Sequence, residues 1–159
     1  MTGRAARTVV VVATVLAAAL TTSFAVGLRH QHDTEQRRQD VLAAARQSAL
    51  NFTTLDYRHY ARDSGHVLDG ATGDFKQQFA AQTAQLTKLV AENKSVSKGQ
   101  ILDAGLVRST AESARVLVVA DSKVANKSVP KGEARTYRLQ LDLVRKDGQW
   151  LTSDVEFVG

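Results

Sequence analysis

Six residues between positions 56 and 66 carry side chains able to move a proton: Asp56, Tyr57, His59, Tyr60, Asp63 and His66. A carboxylate or imidazole base facing a tyrosine or a protonated aspartate, in an apolar cavity, is the equipment of proton-transfer isomerases and dehydratases. The spacing argues against that use here. Tyr57 and Tyr60 stand one helical turn apart, so they are predicted to share a face that plugs a cavity mouth. His59 and His66 align only on an unbroken helix, and Asp63-Ser64-Gly65 is predicted to bend it. Asp56, Tyr57, Tyr60 and Asp63 are therefore read as a partner-facing or pocket-rim cluster, and no catalytic residue is assigned.

The next stretch, "LDGATGDF" (68–75), sets two glycines around Ala71-Thr72 with an aspartate on either side. A phosphate-cradling loop needs Lys followed by Ser or Thr after its last glycine, and a strand before it. Here Gly73 is followed by Asp74 and Phe75, a helical pattern precedes, and Asp69 and Asp74 repel a phosphate. The stretch reads as a corner between two helices. Gly70 is predicted to end the first in a left-handed conformation, Thr72 or Gly73 to begin the second, and Asp74 to place negative charge in its first turn.

Other chemistries find no support. There is no cysteine, which excludes disulfides, thiolate metal sites, thiol catalysis and a lipoprotein anchor. His30-Gln31-His32 offers two imidazoles with no third ligand near, and reads as solvated. Ser64, His66 and Asp69 have no nucleophile-elbow context. No cofactor and no metal are expected. The formal charge is +5, from 21 basic and 16 acidic residues. Arg4 and Arg7 precede the main apolar run, and the rest are interspersed without a basic stripe. Nucleic acid is thereby excluded as a partner.

The elements that position these residues fall into two kinds. Residues 1–8 form a short basic tail, expected to be cytoplasmic. Residues 9–28 carry no charge. At about 1.5 Å per residue they span roughly 30 Å as a helix, the thickness of a bilayer core. Val9, Val12, Leu16, Leu20, Phe24 and Leu28 are the main apolar anchors. The expectation is a single plasma-membrane span with the N-terminus inside and everything from residue 29 outside. Cleavage near Ser23-Phe24-Ala25, as a signal peptide, is the alternative.

Residues 29–55 are predicted to form a juxtamembrane helix leading into a domain at 56–159. A bent helix over 57–68 and a third from Asp74 to about Glu92 follow, the last with Phe75, Phe79 and Leu86 on one stripe. Four strands are then expected, at Gln100–Arg108, Ala114–Val124, Arg135–Arg145 and Trp150–Val158. Tyr137, Leu139, Leu141 and Leu143 alternate against Arg138, Gln140 and Asp142. Leu151, Val155 and Phe157 alternate against Thr152, Asp154 and Glu156. Lys146-Asp147-Gly148 marks a hairpin. Helices first and strands afterward argue an α+β domain, with about three helices on a curved antiparallel four-stranded sheet. Its predicted core is Phe75, Phe79, Leu86, Leu139, Leu141, Trp150 and Val155.

"NFTTLDYRHYARDSGHVLDGATGDFKQQF" (51–79), "KSVSKGQILDAGL" (94–106) and "GQWLTSDVEFV" (148–158), in this order after an apolar anchor, resemble the Mce-associated membrane proteins. Those are accessory proteins of the mammalian-cell-entry lipid transporters. The resemblance implies a nuclear-transport-factor-2-like cone, also used by an inner-membrane assembly subunit of type IV secretion. It further implies a non-enzymatic accessory factor that scaffolds a lipid-import complex. The implied partners are the bilayer, held through a single helix, the transporter subunits and a second copy as a homodimer. The alternative is a lipid- or sterol-binding module using the cone cavity; a small enzyme of the cone fold stands third.

Overall fold

The computed structural model describes residues 33–159. The predicted tail (1–8), the anchor (9–28) and His30 and His32 lie outside them. The chain divides into two compact units, 1–37 and 38–159, and the architecture below is that of the second. Among the described residues, no helix is long and apolar enough to cross a membrane.

Residues 33–53 are helical (α1). No glycine or proline interrupts them, and Val41, Ala45 and Ala49 recur every fourth residue, all fully buried. The two alanines let the helix backbone come close to the sheet, where Val116, Val118, Leu139, Leu141 and Leu143 join the same core. Burying a leucine or valine in this way stabilises the fold by roughly 1.5–3 kcal/mol per side chain.

The juxtamembrane helix was expected to reach residue 55, but it ends at Thr53. Leu55–Asp56 form a two-residue strand, β1, paired antiparallel with Ser97 and Val96. The backbone N–H of Asp56 donates to Asp63 Oδ2 at 2.8 Å, and that of Arg58 to Asp56 Oδ1 at 2.9 Å. These side-chain bonds take donors that a continuing helix would use. The sheet consequently has five strands instead of four.

Helix α2 spans Tyr60–Asp69 and runs through Asp63-Ser64-Gly65 without the predicted bend. Tyr60, Ser64 and Val67 bury one face at helical spacing, and that packing outweighs the cost of a mid-helix glycine, about 1 kcal/mol. Tyr57 lies in the turn ahead of the helix, so it does not share a helical face with Tyr60 as predicted. Helix α3 spans Gly73–Asn93 and ends on Lys94, whose φ of 51° is left-handed. The N–H groups of Lys94 and Ser95 return to the carbonyls of Ala91 and Val90, closing the helix end.

Strands β2 (Val96–Ser109), β3 (Ser113–Ala125), β4 (Glu133–Lys146) and β5 (Gln149–Phe157) follow as an antiparallel meander in the order β1-β2-β3-β4-β5. Asp147 and Gly148, with φ of 51° and 82°, make the tight β4–β5 turn. The inner face carries Val116, Val118, Leu139, Leu141 and Leu143. The outer face carries Arg115, which grips Asp142 in a bidentate pair at 2.7 and 2.6 Å.

Register shifts bend the sheet. On β2 they fall at Leu102 and Val107, both about half exposed. On β5 the pairing passes from Leu143↔Thr152 to Asp142↔Asp154, leaving Ser153 as the extra residue. Strict alternation had set Thr152 opposite Val155. The bulge turns Thr152 inward, and it is 1 % exposed.

Candidate functional site

The helices and the inner sheet face meet at Phe52, the last aromatic of α1. Its ring centroid lies 6.4 Å from that of Phe75 and 6.1 Å from that of Phe157. Phe75 in turn meets Phe79 at 6.1 Å, and Phe157 meets Tyr137 at 6.0 Å. Five rings thus form a ladder, Phe79–Phe75–Phe52–Phe157–Tyr137, joining α3 through α1 to β5 and β4. The centroid spacings and tilts are those that aromatic quadrupoles favour.

Two open apolar cavities flank the ladder, and Phe52 and Leu55 line both. The first, about 180 Å³, lies between the end of α1, α2 and α3. Tyr60, Val67, Phe79, Leu86 and Val90 line it, with Asn51, Thr54, Asp63 and Ser64 as its polar members. The second, about 190 Å³, lies against the inner sheet face, lined by Thr53, Ser97, Val124, Tyr137 and Phe157. Behind them the core is closed: the void among Phe52, Phe75, Leu139, Leu141 and Val155 is about 10 Å³.

The structure divides the rim cluster predicted from residues 56–66. Tyr60 and Asp63 line the first cavity; Asp56, Tyr57, His59 and His66 do not. Both Asp63 oxygens are engaged, Oδ2 by the Asp56 N–H and Oδ1 by the Arg62 guanidinium at 2.9–3.0 Å. Asp56 accepts the guanidinium of Arg58, and these hydrogen bonds hold its carboxyl well below the usual carboxylate range. Burial pushes the Tyr60 phenol up. His59 and His66 are exposed. Among the described residues, no cluster of three or more potential ligands could hold a metal ion.

The corner at residues 68–75 is a joint. Ala71 pairs in parallel with Thr152 of β5. Thr72 N–H donates to the Thr152 carbonyl, and Thr152 N–H to the Gly70 carbonyl, both at 2.8 Å. The Thr152 hydroxyl reaches Ser48 Oγ of α1 at 2.7 Å, and Lys146 Nζ donates to Thr72 Oγ1 at 2.9 Å. The corner therefore ties α1, α2 and α3 to the outer edge of the sheet. Gly70 is not left-handed as predicted, with φ of −86°; the left-handed glycine is Gly73, with φ of 60°. The sharp reversal comes at the first residue of α3, after Thr72 has paired with β5.

Of the predicted core, Leu139 and Leu141 are fully buried, while Phe75, Phe79, Leu86, Trp150 and Val155 are half-buried. Phe79 and Leu86 line the first cavity instead of filling it. Phe52 as the hub, and the Ser48–Thr152 contact, escape a sequence reading, because they depend on the closure of distant elements.

Residues 3–159 match the family described as "Uncharacterized protein Rv1363c/MT1408-like". The chain belongs to that family. It is similar to the protein Rv1363c of Mycobacterium tuberculosis, 36% identical over 132 residues, covering 82% of this chain and 51% of the relative. The chain thus spans about half the length of that curated relative. Solved structures share the fold at low identity. An IcmL-like type IV secretion system protein of Legionella pneumophila superposes with a TM-score of 0.62 at 12% identity, over 76% of this chain and 91% of that one. A periplasmic fragment of TraM superposes with a TM-score of 0.60 at 12% identity, over 76% and 96%. The Rv1363c/MT1408-like domain therefore shares its fold with an IcmL-like type IV secretion system protein and with a periplasmic fragment of TraM, in line with the fold that the resemblance implied.

Proposed function

We propose that this protein is a non-enzymatic assembly subunit, anchored by residues 9–28, whose domain stands outside the plasma membrane and scaffolds an Mce-type lipid-import complex. The observation that carries the reading is the fold held in common with a type IV secretion system protein and a periplasmic TraM fragment. The family resemblance of segments 51–79, 94–106 and 148–158 supports the choice of transporter. The long β2 edge and the outer sheet face, with Leu102, Val107 and Leu117 about half exposed, supply surface for subunit contacts or for a second copy.

Deletion of the gene in its own host tests the reading. The transporter subunits are expected to fall in abundance, with lipid uptake falling alongside. Unchanged abundance and unchanged uptake would refute it.

A further inference from the structure

The cavities have a feature that scaffolding does not use. A filled core leaves voids like the one behind Phe52 and Phe75, about 10 Å³. The two flanking cavities are each more than ten times larger, and both are open. Three of the chain's five phenylalanines line them, Phe52 and Phe79 the first, Phe52 and Phe157 the second. Apolar concavities walled by aromatics and carrying a few polar groups are the general form of a small-molecule site.

The shape restricts the occupant. Each cavity alone falls below the roughly 300 Å³ at which pockets for drug-sized ligands begin. Together they reach that size, but Phe52 and Leu55 form a wall common to both. A rigid fused-ring molecule cannot bend around that wall, whereas a flexible chain can. The polar groups restrict the head. The first cavity's lining includes one carboxylate, Asp63, and no cation. Thr54 Oγ1 accepts the Gly99 N–H at 3.2 Å and keeps its own proton to donate. Ser64 Oγ donates to the Ala61 carbonyl and keeps its lone pairs to accept. A hydroxyl-bearing head meets both; a carboxylate or phosphate head finds no cation in the lining, and the Arg62 guanidinium beside it is already taken up by Asp63 Oδ1.

We infer that the twin cavity is a binding site for one unbranched acyl chain with an uncharged, hydroxyl-bearing head, of the monoacylglycerol type. The tail lies along the aromatic ladder and bends at Phe52, and the head sits among Thr54, Asp63 and Ser64. The site does not depend on the assembly role. A subunit can hold such a ligand whichever complex it joins.

Photolabelling tests this. The full chain is mixed with phosphatidylcholine vesicles carrying a monoacylglycerol with a mid-chain diazirine, illuminated, digested and mapped by mass spectrometry. Adducts are expected on peptides containing Phe52–Leu55 and Phe79–Val90, and unlabelled monolaurin should compete them away. Leu86→Trp and Val124→Trp, one in each cavity, should each cut labelling by roughly tenfold by filling the space, with unchanged melting temperature as the control for folding. Diazirine analogues of a fatty acid and of a sterol should label less than the neutral single chain. Phe52→Ala should raise sterol labelling by removing the wall, a gain that misfolding does not produce. Adducts confined to other peptides, labelling unchanged in both folded tryptophan variants, or sterol labelling of the native chain as strong as that by monoacylglycerol would each overturn the assignment.

Discussion

Ser97 and Ser122, on neighbouring strands, hold their hydroxyl oxygens 2.5 Å apart beneath the end of α1. Ser97 Oγ reaches the Thr53 carbonyl at 2.6 Å and Ser122 Oγ reaches it at 3.1 Å. Each hydroxyl has one proton, so only two of these three contacts are hydrogen bonds at any moment. The shortest pair of contacts has Ser122 donating to Ser97 and Ser97 to Thr53. This small relay satisfies a buried helix-end carbonyl and pins Phe52 over the sheet. Removing either hydroxyl leaves the other to serve Thr53. Ser97→Ala and Ser122→Ala should therefore each cost about 0.5–1.5 kcal/mol. The double variant should cost more than their sum, because the carbonyl is then orphaned. Urea denaturation of the four proteins checks this; strict additivity would contradict it.

Gly99 faces the same helix end. A methyl group at Gly99 would lie 2.2 Å from Thr53 Oγ1 and 2.9 Å from Thr54 Oγ1. Thr53 Oγ1 cannot easily yield, being buried and donating to the Ala49 carbonyl at 2.7 Å. Gly99→Ala should destabilise by about 1–3 kcal/mol, the usual cost of overpacking. Adding Thr53→Ala should recover part of the loss, as the shortest clash disappears. Chemical denaturation of the single and double variants tests the coupling.

On the outer face, the hydrogen bonds from Arg115 hold the Asp142 carboxyl below its ordinary value of 3.8, against a smaller opposing effect of burial. The unfolded chain therefore binds this proton first as the pH falls. The pair's contribution is fully present above about pH 4 and is lost as the pH drops through the folded value. Asp56, held low by Arg58, acts with the same sign. Melting temperature measured between pH 3 and 7 should fall on the acid side, and Asp142→Asn should flatten that fall. An equally steep acid limb in Asp142→Asn would contradict the assignment.

Leu139 stands at the centre of the inner face and is fully buried, against α1 and beside the closed void. Leu139→Ala should cost about 2–5 kcal/mol, through lost transfer energy and the cavity left behind. Leu117→Ala, on the outer face and about half exposed, should change stability far less. Denaturation midpoints of the two variants separate the faces.

Much of the fold is legible where one face of an element is buried along its length. Val41, Ala45, Ser48 and Phe52 mark one stripe of α1 by their spacing, with Ala49 beside it, and Leu139, Leu141 and Leu143 mark β4 by alternation. Asp147-Gly148 announces its turn through the two left-handed residues it needs. What escapes has non-local causes. Strand β1 is two residues long and is defined only by its pairing with Val96 and Ser97, far along the chain. The Ser153 bulge, which turns Thr152 inward, leaves no mark in a period-two pattern. Ser64 and Gly65 look like a break until Tyr60 and Val67 are seen to bury the same face. The site is harder still to read. Phe75 and Phe79 share a stripe of α3, yet nothing local says that Phe52 and Phe157, about a hundred residues apart, complete their ladder.

The central claim, an assembly role, is tested most directly by affinity purification of the full chain from its own host in mild detergent, with mass spectrometry of the co-eluting proteins. Recovery of Mce-type transporter subunits, in ratios that persist through a second purification step, is the predicted result. A chain that elutes free of those subunits, from cells in which the transporter is present, would contradict it.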